Sequence, residues 1–310
     1  MDPLARPSPP APPDGGVGLD RPRDAPGLHR FSHEAMATYF EIYAAHRDKP
    51  YAAQAAQAAF DLVDRLERDL SRFLPNSDIT RINHLSPGAA TPVSPSTLEC
   101  LLIAQHMFAL TGGAFDASIG TGLDTLVLDP DRVEVRAMQA GVRVDLGGIG
   151  KGYAVDLVAE LLGEWDLESA LVHGGFSSVL ALDPPEGAGG WPLTLSDPGA
   201  PSRVLARLSV TQTALAASGV RKTDHIVDPH TGQPVRARRG AWVTVPRPDA
   251  GAAHDGPRLA AAAVADALTT AFMVLDEEAI RALCARSPGV QAWVLAAGGD
   301  SLRHVGGAPP

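Results

Sequence analysis

The chain has 310 residues, a formal net charge of −10 at pH 7, 45% hydrophobic residues and 20% charged residues. This composition is typical of a soluble globular protein that is large enough to bury a core. The acidic balance without a long basic run argues against nucleic acid or an anionic membrane as a partner. No apolar run reaches the length of a membrane-spanning segment.

The two ends of the chain differ in composition from its centre. Residues 1–28 are rich in proline and glycine, which predicts a disordered tail there, and a second tail is expected at residues 301–310. The start has neither the apolar segment of an export signal nor a cysteine for lipid attachment, so we expect a cytoplasmic location. Cys100 and Cys284 have no metal-binding or redox spacing and are interpreted as buried thiols.

Hydrophobic periodicity predicts helices and strands in mixed order between residues 38 and 296. The predicted helices have an apolar face or capping residues and cover residues 51–73, 77–83, 94–108, 153–162, 259–275 and 277–285. The predicted strands cover residues 38–45, 132–136, 141–145, 170–172, 178–182, 193–195, 203–210, 242–245 and 291–296. The order lacks a strict βαβ rhythm, which predicts an α+β fold with mixed, largely antiparallel sheets and packed helices.

The stretch VDLGGIGKGYAVD, residues 144–156, is the most informative part of the sequence. Four glycines between a β-branched run and a helical pattern let the backbone turn tightly and approach a ligand closely. A helix N-terminus after such a turn is a suitable place for a phosphate group. The stretch is neither a P-loop, which needs glycine where Asp145 stands, nor a dinucleotide fingerprint, which needs glycine where Tyr153 stands.

A polar pair interrupts the apolar helical pattern of residues 259–275. Asp266 and Thr270 are four residues apart, so they share one side of the helix. A carboxylate with a hydroxyl suits a magnesium ion that keeps water and shares phosphate oxygens of a substrate. The alternative, which the pair alone favours, is that Asp266 caps a helix or pairs with an arginine. Thr270 would then bond back to the Asp266 carbonyl.

Two loops contain further candidate residues. His225 lies in a turn-rich stretch, where a histidine can act as a general base near neutral pH, although most loop histidines are simply solvated. Phe115 and Asp116 directly follow a predicted helix end, where loops often carry function. A helix cap with an incidental aromatic residue is the alternative there.

In this order, the motifs resemble the ApbE-type FAD:protein FMN transferases from about residue 31 to residue 275. The motifs that carry the resemblance are Met36-Ala37-Thr38 (usually Met-Gly-Thr), LSRFLPNSDITRIN at 70–83, GGAFD at 112–116, DLGGIGKGYAVD at 145–156, HGG at 173–175, Ser218-Gly219, HIVDPHTG at 225–232 and ADALTTA at 265–271. The resemblance implies an ApbE-like (T-fold-like) architecture, with a flavin transferase domain at residues 29–300.

The resemblance also implies an activity. Such an enzyme binds FAD with Mg²⁺, cleaves the pyrophosphate, attaches FMN through a phosphoester to a threonine or serine of an acceptor protein, and releases AMP. By motif position, Asp266, Thr270 and the backbone carbonyl of Gly148 would bind the metal, and His225 would take the proton of the acceptor hydroxyl. The residues expected to line the FAD site are Met36, Ala114, Phe115, Asp116, Asp145, Lys151 and Ile226 or Val227.

Three departures from the family pattern bear on function. Alanine replaces glycine at Ala37, which we expect to be a small change, and the lipoprotein signal of many members is missing. The connection at residues 117–144 is shorter than is common and lacks a PL..LWGF stretch, so part of the wall over the flavin or the acceptor is expected to be missing. Two rival functions stay open: an FAD pyrophosphatase that gives FMN and AMP, and a non-catalytic FAD-binding protein.

Overall fold

The computed structural model describes residues 17–19, 27–220, 226–248 and 260–306. In these ranges the helices are α1 (Lys49–Leu70), α2 (Asp78–Ile82), α3 (Pro95–Leu110), α4 (Gly150–Glu164), α5 (Ala261–Val274) and α6 (Glu277–Arg286). The strands are β1 (Val17–Leu19), β2 (Leu28–Ala35), β3 (Thr38–Ala45), β4 (Ala90–Pro92), β5 (Leu126–Asp129), β6 (Glu134–Ala137), β7 (Ala170–Gly174), β8 (Ser178–Ala181), β9 (Trp191–Asp197), β10 (Ala200–Val210), β11 (Thr213–Gly219), β12 (Val227–Asp228), β13 (Gln233–Pro234), β14 (Arg238–Pro246), β15 (Gln291–Ala296) and β16 (Arg303–Val305). Short 3₁₀ turns cover Leu123–Thr125, Leu146–Gly148 and Gly175–Ser177.

One large sheet forms the centre of the fold. Its strand order is β16-β15-β14-β11-β8-β7-β3-β2, and all of its neighbouring strands are antiparallel. Smaller antiparallel sheets have the orders β1-β9-β10, β4-β6-β5 and β12-β13. The predicted α+β fold with largely antiparallel sheets is therefore confirmed.

Both faces of the large sheet are covered by apolar side chains. Helices α1, α4 and α5 pack on one face, and α5 lies against β11 and β14. The sheet formed by β1, β9 and β10 covers the other face, where Trp191 of β9 joins Trp242 and Trp293 in a second apolar cluster. Removing this apolar surface from water is the main stabilising contribution to such a fold. Helix α5 is buried along almost all of its length, so its single carboxylate lies in an apolar environment.

All six predicted helices are present, with ends shifted by up to three residues. Helix α3 begins as predicted after Ser94, whose hydroxyl accepts a hydrogen bond from Thr97 N–H. Helix α4 begins at Gly150, earlier than the predicted residue 153. Helix α1 ends at Leu70, and Ser71 adopts an extended conformation. In the described ranges, no helix combines the length and the apolarity needed to cross a bilayer.

The predicted strand at residues 141–145 is wrong. Both backbone groups of Val144 bond to the side chain of Asn83: the N–H donates to Oδ1 at 2.6 Å, and the carbonyl accepts from Nδ2 at 3.0 Å. The Arg143 N–H donates to Oγ1 of Thr121 at 2.8 Å. Side chains satisfy this backbone, so it has no need of a strand partner.

The predicted tails need correction at both ends. Val17–Leu19 pairs with β9 inside the predicted tail of residues 1–28, and Arg303–Val305 pairs with β15 inside the predicted tail of residues 301–310. Val17 and Val305 are both buried, so each short strand adds apolar burial to its ladder hydrogen bonds. Residues 1–16, 20–26 and 307–310 lie outside the described part of the chain.

Candidate active site

A cleft lies at one end of the large sheet, where the β2–β3 turn, the β7–β8 turn and the end of β11 meet. We call it the main cleft. Its volume is about 610 Å³, within the range of small-molecule sites. It brings together every described candidate residue of the sequence analysis: Met36, Ala114, Phe115, Asp116, Asp145, Gly148, Lys151, Ile226, Val227, Asp266 and Thr270. The candidate base His225 falls outside the described residues, but its chain neighbours Ile226 and Val227 line the cleft.

The carboxylate of Asp266 is held by the N-terminus of α4. Its Oδ2 accepts a hydrogen bond from Gly152 N–H at 3.1 Å and lies 3.8 Å from Nζ of Lys151. First-turn N–H groups lack an acceptor in their own helix, and the helix dipole makes this end positive. Asp266 is only 3% exposed, yet it lines the cleft. Its charged partner is thus a lysine, and the arginine pairing considered for it does not occur among the described residues.

Two residues of the 144–156 stretch fix the position of α5 on α4. A Cβ on Gly152 would lie 2.2 Å from the carbonyl oxygen of Ala262, so only glycine permits this approach. The buried carboxylate of Asp156 accepts the N–H groups of Ala262 and Ala263 at 3.0 and 2.8 Å, and so caps α5. Burial raises the pKa of Asp156 to about 7, and these two hydrogen bonds act in the opposite direction. The sequence showed this motif but did not reveal its role in placing Asp266.

The three candidate metal-binding residues lie together. Gly148 lies close to Thr270, because a Cβ on Gly148 would be 3.2 Å from Oγ1 of Thr270. Thr270 itself follows Asp266 by one helical turn. Thr270 Oγ1 is 3.4 Å from the Asp266 carbonyl oxygen, so the predicted back-bond is present but long. The shorter bond to that carbonyl, 2.8 Å, comes from Thr269.

The donor types at this point fit a hard cation such as Mg²⁺. A carboxylate, a hydroxyl and a backbone carbonyl are all oxygen donors. The described residues contain no group of three or more His, Cys, Asp or Glu side chains that could hold a metal. A cation here would therefore take its remaining ligands from water and from a substrate.

The glycine turn before α4 is fixed from both sides. Asp145 caps the 3₁₀ turn Leu146–Gly148, because its Oδ1 accepts the Gly147 N–H at 2.9 Å. Its Oδ2 pairs with Nε of Arg72 at 3.0 Å. Lys151 Nζ donates to the Gly147 carbonyl at 3.1 Å. Arg72 lines the cleft as well, and it was not singled out from the sequence although it lies in the LSRFLPNSDITRIN motif.

The GGAFD motif forms the helix cap that was considered for it, and the functional role of Phe115 and Asp116 stays a prediction. Gly112 and Gly113 have φ values of 62° and 83°, and they end α3 in the conformation that glycine favours. The turn also delivers Phe115 and Asp116 to the cleft. Asp116 accepts hydrogen bonds from Ser118 N–H, Ser118 Oγ and Gly120 N–H, all at 2.7 Å. Its carboxylate therefore organises the loop that forms one wall.

The Met36–Ala37 turn is strained. These residues have φ values of 50° and 56°, which place both in the left-handed region. A side chain costs roughly 1–2 kcal/mol there, so replacement of glycine at Ala37 is larger than the small change expected. Gly175 packs against this turn: a Cβ on it would lie 2.3 Å from Oγ1 of Thr38.

Several lining residues were missed by sequence reasoning. Phe176 and Ser177 follow the HGG glycines, Pro198 lies beside Gly219 at the end of β11, and Trp242 is paired with Ala217 from β14. Within the described residues, the buried Nε1 of Trp242 has no hydrogen-bond partner. The HGG glycines and the Asp197-Pro198-Gly199 turn are visible in the sequence, whereas Trp242 in an apolar strand is indistinguishable from a core residue.

The sequence model of the ApbE family matches residues 36–126 and 121–294, and the chain therefore belongs to the ApbE family. The two matched segments meet inside the short connection of residues 117–144. An FAD:protein FMN transferase of Treponema pallidum is 29% identical, over 77% of this chain and 76% of the relative. A second FAD:protein FMN transferase, from Klebsiella pneumoniae, is 24% identical over 80% of this chain and 77% of the relative.

Solved structures show the same fold. The ApbE protein from Thermotoga maritima matches with a TM-score of 0.75 at 24% identity, covering 90% of this chain and 97% of its own. The flavin transferase ApbE from Vibrio cholerae matches with a TM-score of 0.74 at 21% identity, covering 89% of this chain and 96% of its own. The family and the ApbE-like fold predicted from the sequence are therefore confirmed.

Proposed function

We propose that this chain is a FAD:protein FMN transferase. The observation that carries the proposal is the position of Asp266, Thr270 and Gly148 beside Lys151 at the positive end of α4. This arrangement suits the pyrophosphate of a dinucleotide, because oxygen donors for a cation and a positive side chain meet at one point. The names of the curated relatives support FAD as donor and a protein as acceptor.

The proposed reaction exchanges the phosphoanhydride bond of FAD for a phosphoester bond to the acceptor. The oxygen of a threonine or serine hydroxyl on the acceptor attacks the phosphorus of the FMN half of FAD. A P–O bond forms there, and the P–O bond to the AMP half breaks. The hydroxyl proton goes to a base of the enzyme, and AMP leaves with the bridging oxygen. No oxidant or reductant is needed.

Asp266, Thr270 and the backbone carbonyl of Gly148 would hold Mg²⁺. When bound, that ion supplies positive charge to the pyrophosphate oxygens and to the charge that develops during cleavage. The Gly152 N–H bond orients the Asp266 carboxylate before any ligand arrives. Preorganisation of this kind avoids reorientation during the reaction.

Other residues of the cleft bind and position. Lys151 reaches Gly147 and Asp266 from the start of α4, so its ammonium group would add positive charge beside a phosphate bound there. The buried ring of Phe115 gives an apolar wall next to Gly148. We assign His225 as the base that takes the acceptor proton, since Ile226 and Val227 after it line the cleft. A histidine suits that role near neutral pH.

Hydrolysis of FAD is a second candidate activity, and one observation favours it as a side reaction. Of the short connection at residues 117–144, Ala117 and Ile119 line the main cleft, whereas β5 and β6 pair with β4 in a separate sheet. This connection leaves the cleft open to water, which competes with the acceptor hydroxyl. We expect the acceptor to close the cleft and suppress the reaction with water.

The test is to incubate the protein with FAD, Mg²⁺ and a candidate acceptor protein, and to measure AMP, free FMN and modified acceptor in the same sample. A transferase releases AMP in excess of free FMN by the amount of acceptor modified. Equal AMP and free FMN, with an unmodified acceptor, would identify a pyrophosphatase. Bound FAD without AMP would identify a non-catalytic flavin binder.

A further inference from the structure

A second cleft adjoins the main cleft and belongs to none of the functions above. Its volume is about 360 Å³. Arg72, Ile119 and Asp145 line both clefts, so the two are continuous. Its remaining walls come from α2, the loop after Ser118 and residues 143–145. We call it the basic cleft.

The charges of the basic cleft are unbalanced. Arg72, Arg143 and His84 line it, and Asp145 is the one carboxylate in its lining. Asp145 is already paired with Arg72. Arg143 donates to the Asn83 carbonyl at 3.3 Å, and no carboxylate of the described residues forms an ion pair with it. A positive site on a chain with net charge −10 favours an anionic ligand.

The walls of the basic cleft are fixed by hydrogen bonds. Arg143 N–H bonds to Thr121 Oγ1 at 2.8 Å, and the next residue, Val144, is held on both sides by Asn83. Ser118 Oγ accepts the N–H groups of Gly122 and Leu123 at 3.1 and 2.9 Å. The backbone that carries Arg143 is therefore fixed before a ligand binds, and only the side chain has still to be ordered.

Two exposed apolar side chains, Ile119 and Phe73, lie at or beside the junction of the two clefts. Ile119 is 47% exposed and lies where the clefts meet. Phe73 is 78% exposed, and its ring lies 4.4 Å from the guanidinium carbon of Arg72. An exposed apolar contact beside a basic site fits a peptide segment better than a small anion, because a peptide offers both apolar and charged groups.

We propose that the basic cleft binds an acidic segment of the acceptor protein, so that a neighbouring hydroxyl of the same segment enters the main cleft. This inference rests on the proposed transferase function, because that function requires an acceptor to reach the main cleft. The carboxylates of the segment pair with Arg143, and its chain passes Ile119 on the way to the reacting hydroxyl.

The test uses fluorescein-labelled peptides and the FAD-loaded protein with Mg²⁺ at low ionic strength. One peptide carries a single valine, in place of the acceptor threonine so that it cannot be modified, flanked by aspartates, and its partner has asparagines in place of the aspartates. Fluorescence anisotropy gives the dissociation constant for wild type, Arg143→Gln and Arg143→Lys. Arg132→Gln is the matched control, because Arg132 is exposed in the same connection but does not line the cleft.

We expect Arg143→Gln to weaken binding of the aspartate peptide by about threefold to fivefold, the size of an exposed ion pair. Arg143→Lys and Arg132→Gln should bind the aspartate peptide as tightly as wild type does, and added salt should weaken its binding. The affinity for the asparagine peptide should be the same for wild type and Arg143→Gln. FAD affinity should be unchanged in every variant. Equal effects of Arg143→Gln and Arg132→Gln, or full competition by equimolar inorganic phosphate, would overturn the inference. Failure of the proposed function shows separately, as absence of AMP release by wild type.

Discussion

The backbone N–H of Gly152 donates a 3.1 Å hydrogen bond to Oδ2 of Asp266. This bond joins the first turn of α4 to a carboxylate in the middle of α5. It satisfies a helix N–H that has no acceptor in its own helix, and it orients a buried charge toward the main cleft. The glycine stretch therefore contributes to the site through helix packing as well as through backbone access for a ligand.

Gly152→Ala should destabilise the protein by about 2–3 kcal/mol, because its Cβ would overlap the Ala262 carbonyl and push α5 away. The matched control is Gly163→Ala in the same helix, where nothing lies within 4 Å of the added carbon. That change should stabilise by about 0.5–1 kcal/mol. Denaturant unfolding measures both, and equal effects of the two changes would contradict the packing argument.

Ala37→Gly should stabilise the protein by about 1 kcal/mol, because Ala37 has a φ of 56°. Ala282→Gly is the control for the same change on the exposed side of α6, and it should destabilise by about 1 kcal/mol. Thermal unfolding of both variants shows whether each substitution raises or lowers the melting temperature. A lower melting temperature for Ala37→Gly would show that the turn is not strained.

Stability should fall as the pH drops below about 6.5, in part through His173. Burial lowers the pKa of His173, whose Nε2 bonds to the Val17 carbonyl at 3.2 Å. The unfolded chain therefore takes up a proton at this position at a higher pH than the folded chain does. His173→Gln should reduce the loss of unfolding free energy between pH 6.5 and pH 5, measured with denaturant. An unchanged pH dependence would exclude this contribution.

His225→Ala should slow FMN transfer by about 10²–10⁴-fold if His225 takes the acceptor proton. FAD affinity, measured by calorimetry with Mg²⁺, should stay at the wild-type value. His230→Ala is the matched control, because His230 lies in the same motif but does not line the main cleft, and it bonds to Asp228 and to the Gly112 carbonyl. Parallel loss of FAD affinity and rate in His225→Ala would assign His225 to binding.

The sequence predicted the α+β class and the family, because periodic helices and ordered motifs survive in it. In the large sheet it missed β2, β11 and β16, and it also missed the short strands β1, β4, β5, β12 and β13. It placed a strand at residues 141–145, where Asn83 satisfies the backbone of Val144 instead. Local patterns cannot reveal a side chain that replaces a strand partner from 61 residues away.

The motifs also gave many members of the main cleft but not the contacts that hold them in place. The cap that Asp156 provides to α5 and the ion pair of Arg72 with Asp145 are long-range contacts. Neither contact has a signal in residue spacing. The strain at Ala37 was underestimated, because its φ is set by the β2–β3 hairpin and not by the alanine itself.

The most direct test of the account is AMP release from FAD by wild type and Asp266→Asn across a Mg²⁺ titration. Asparagine keeps an oxygen for the Gly152 N–H but loses the charge for the cation, so the fold and its melting temperature should be preserved. We predict Mg²⁺-dependent AMP release by wild type and a rate at least about 100-fold lower in the variant. A wild-type rate in Asp266→Asn, or AMP release that is indifferent to Mg²⁺, would contradict the account.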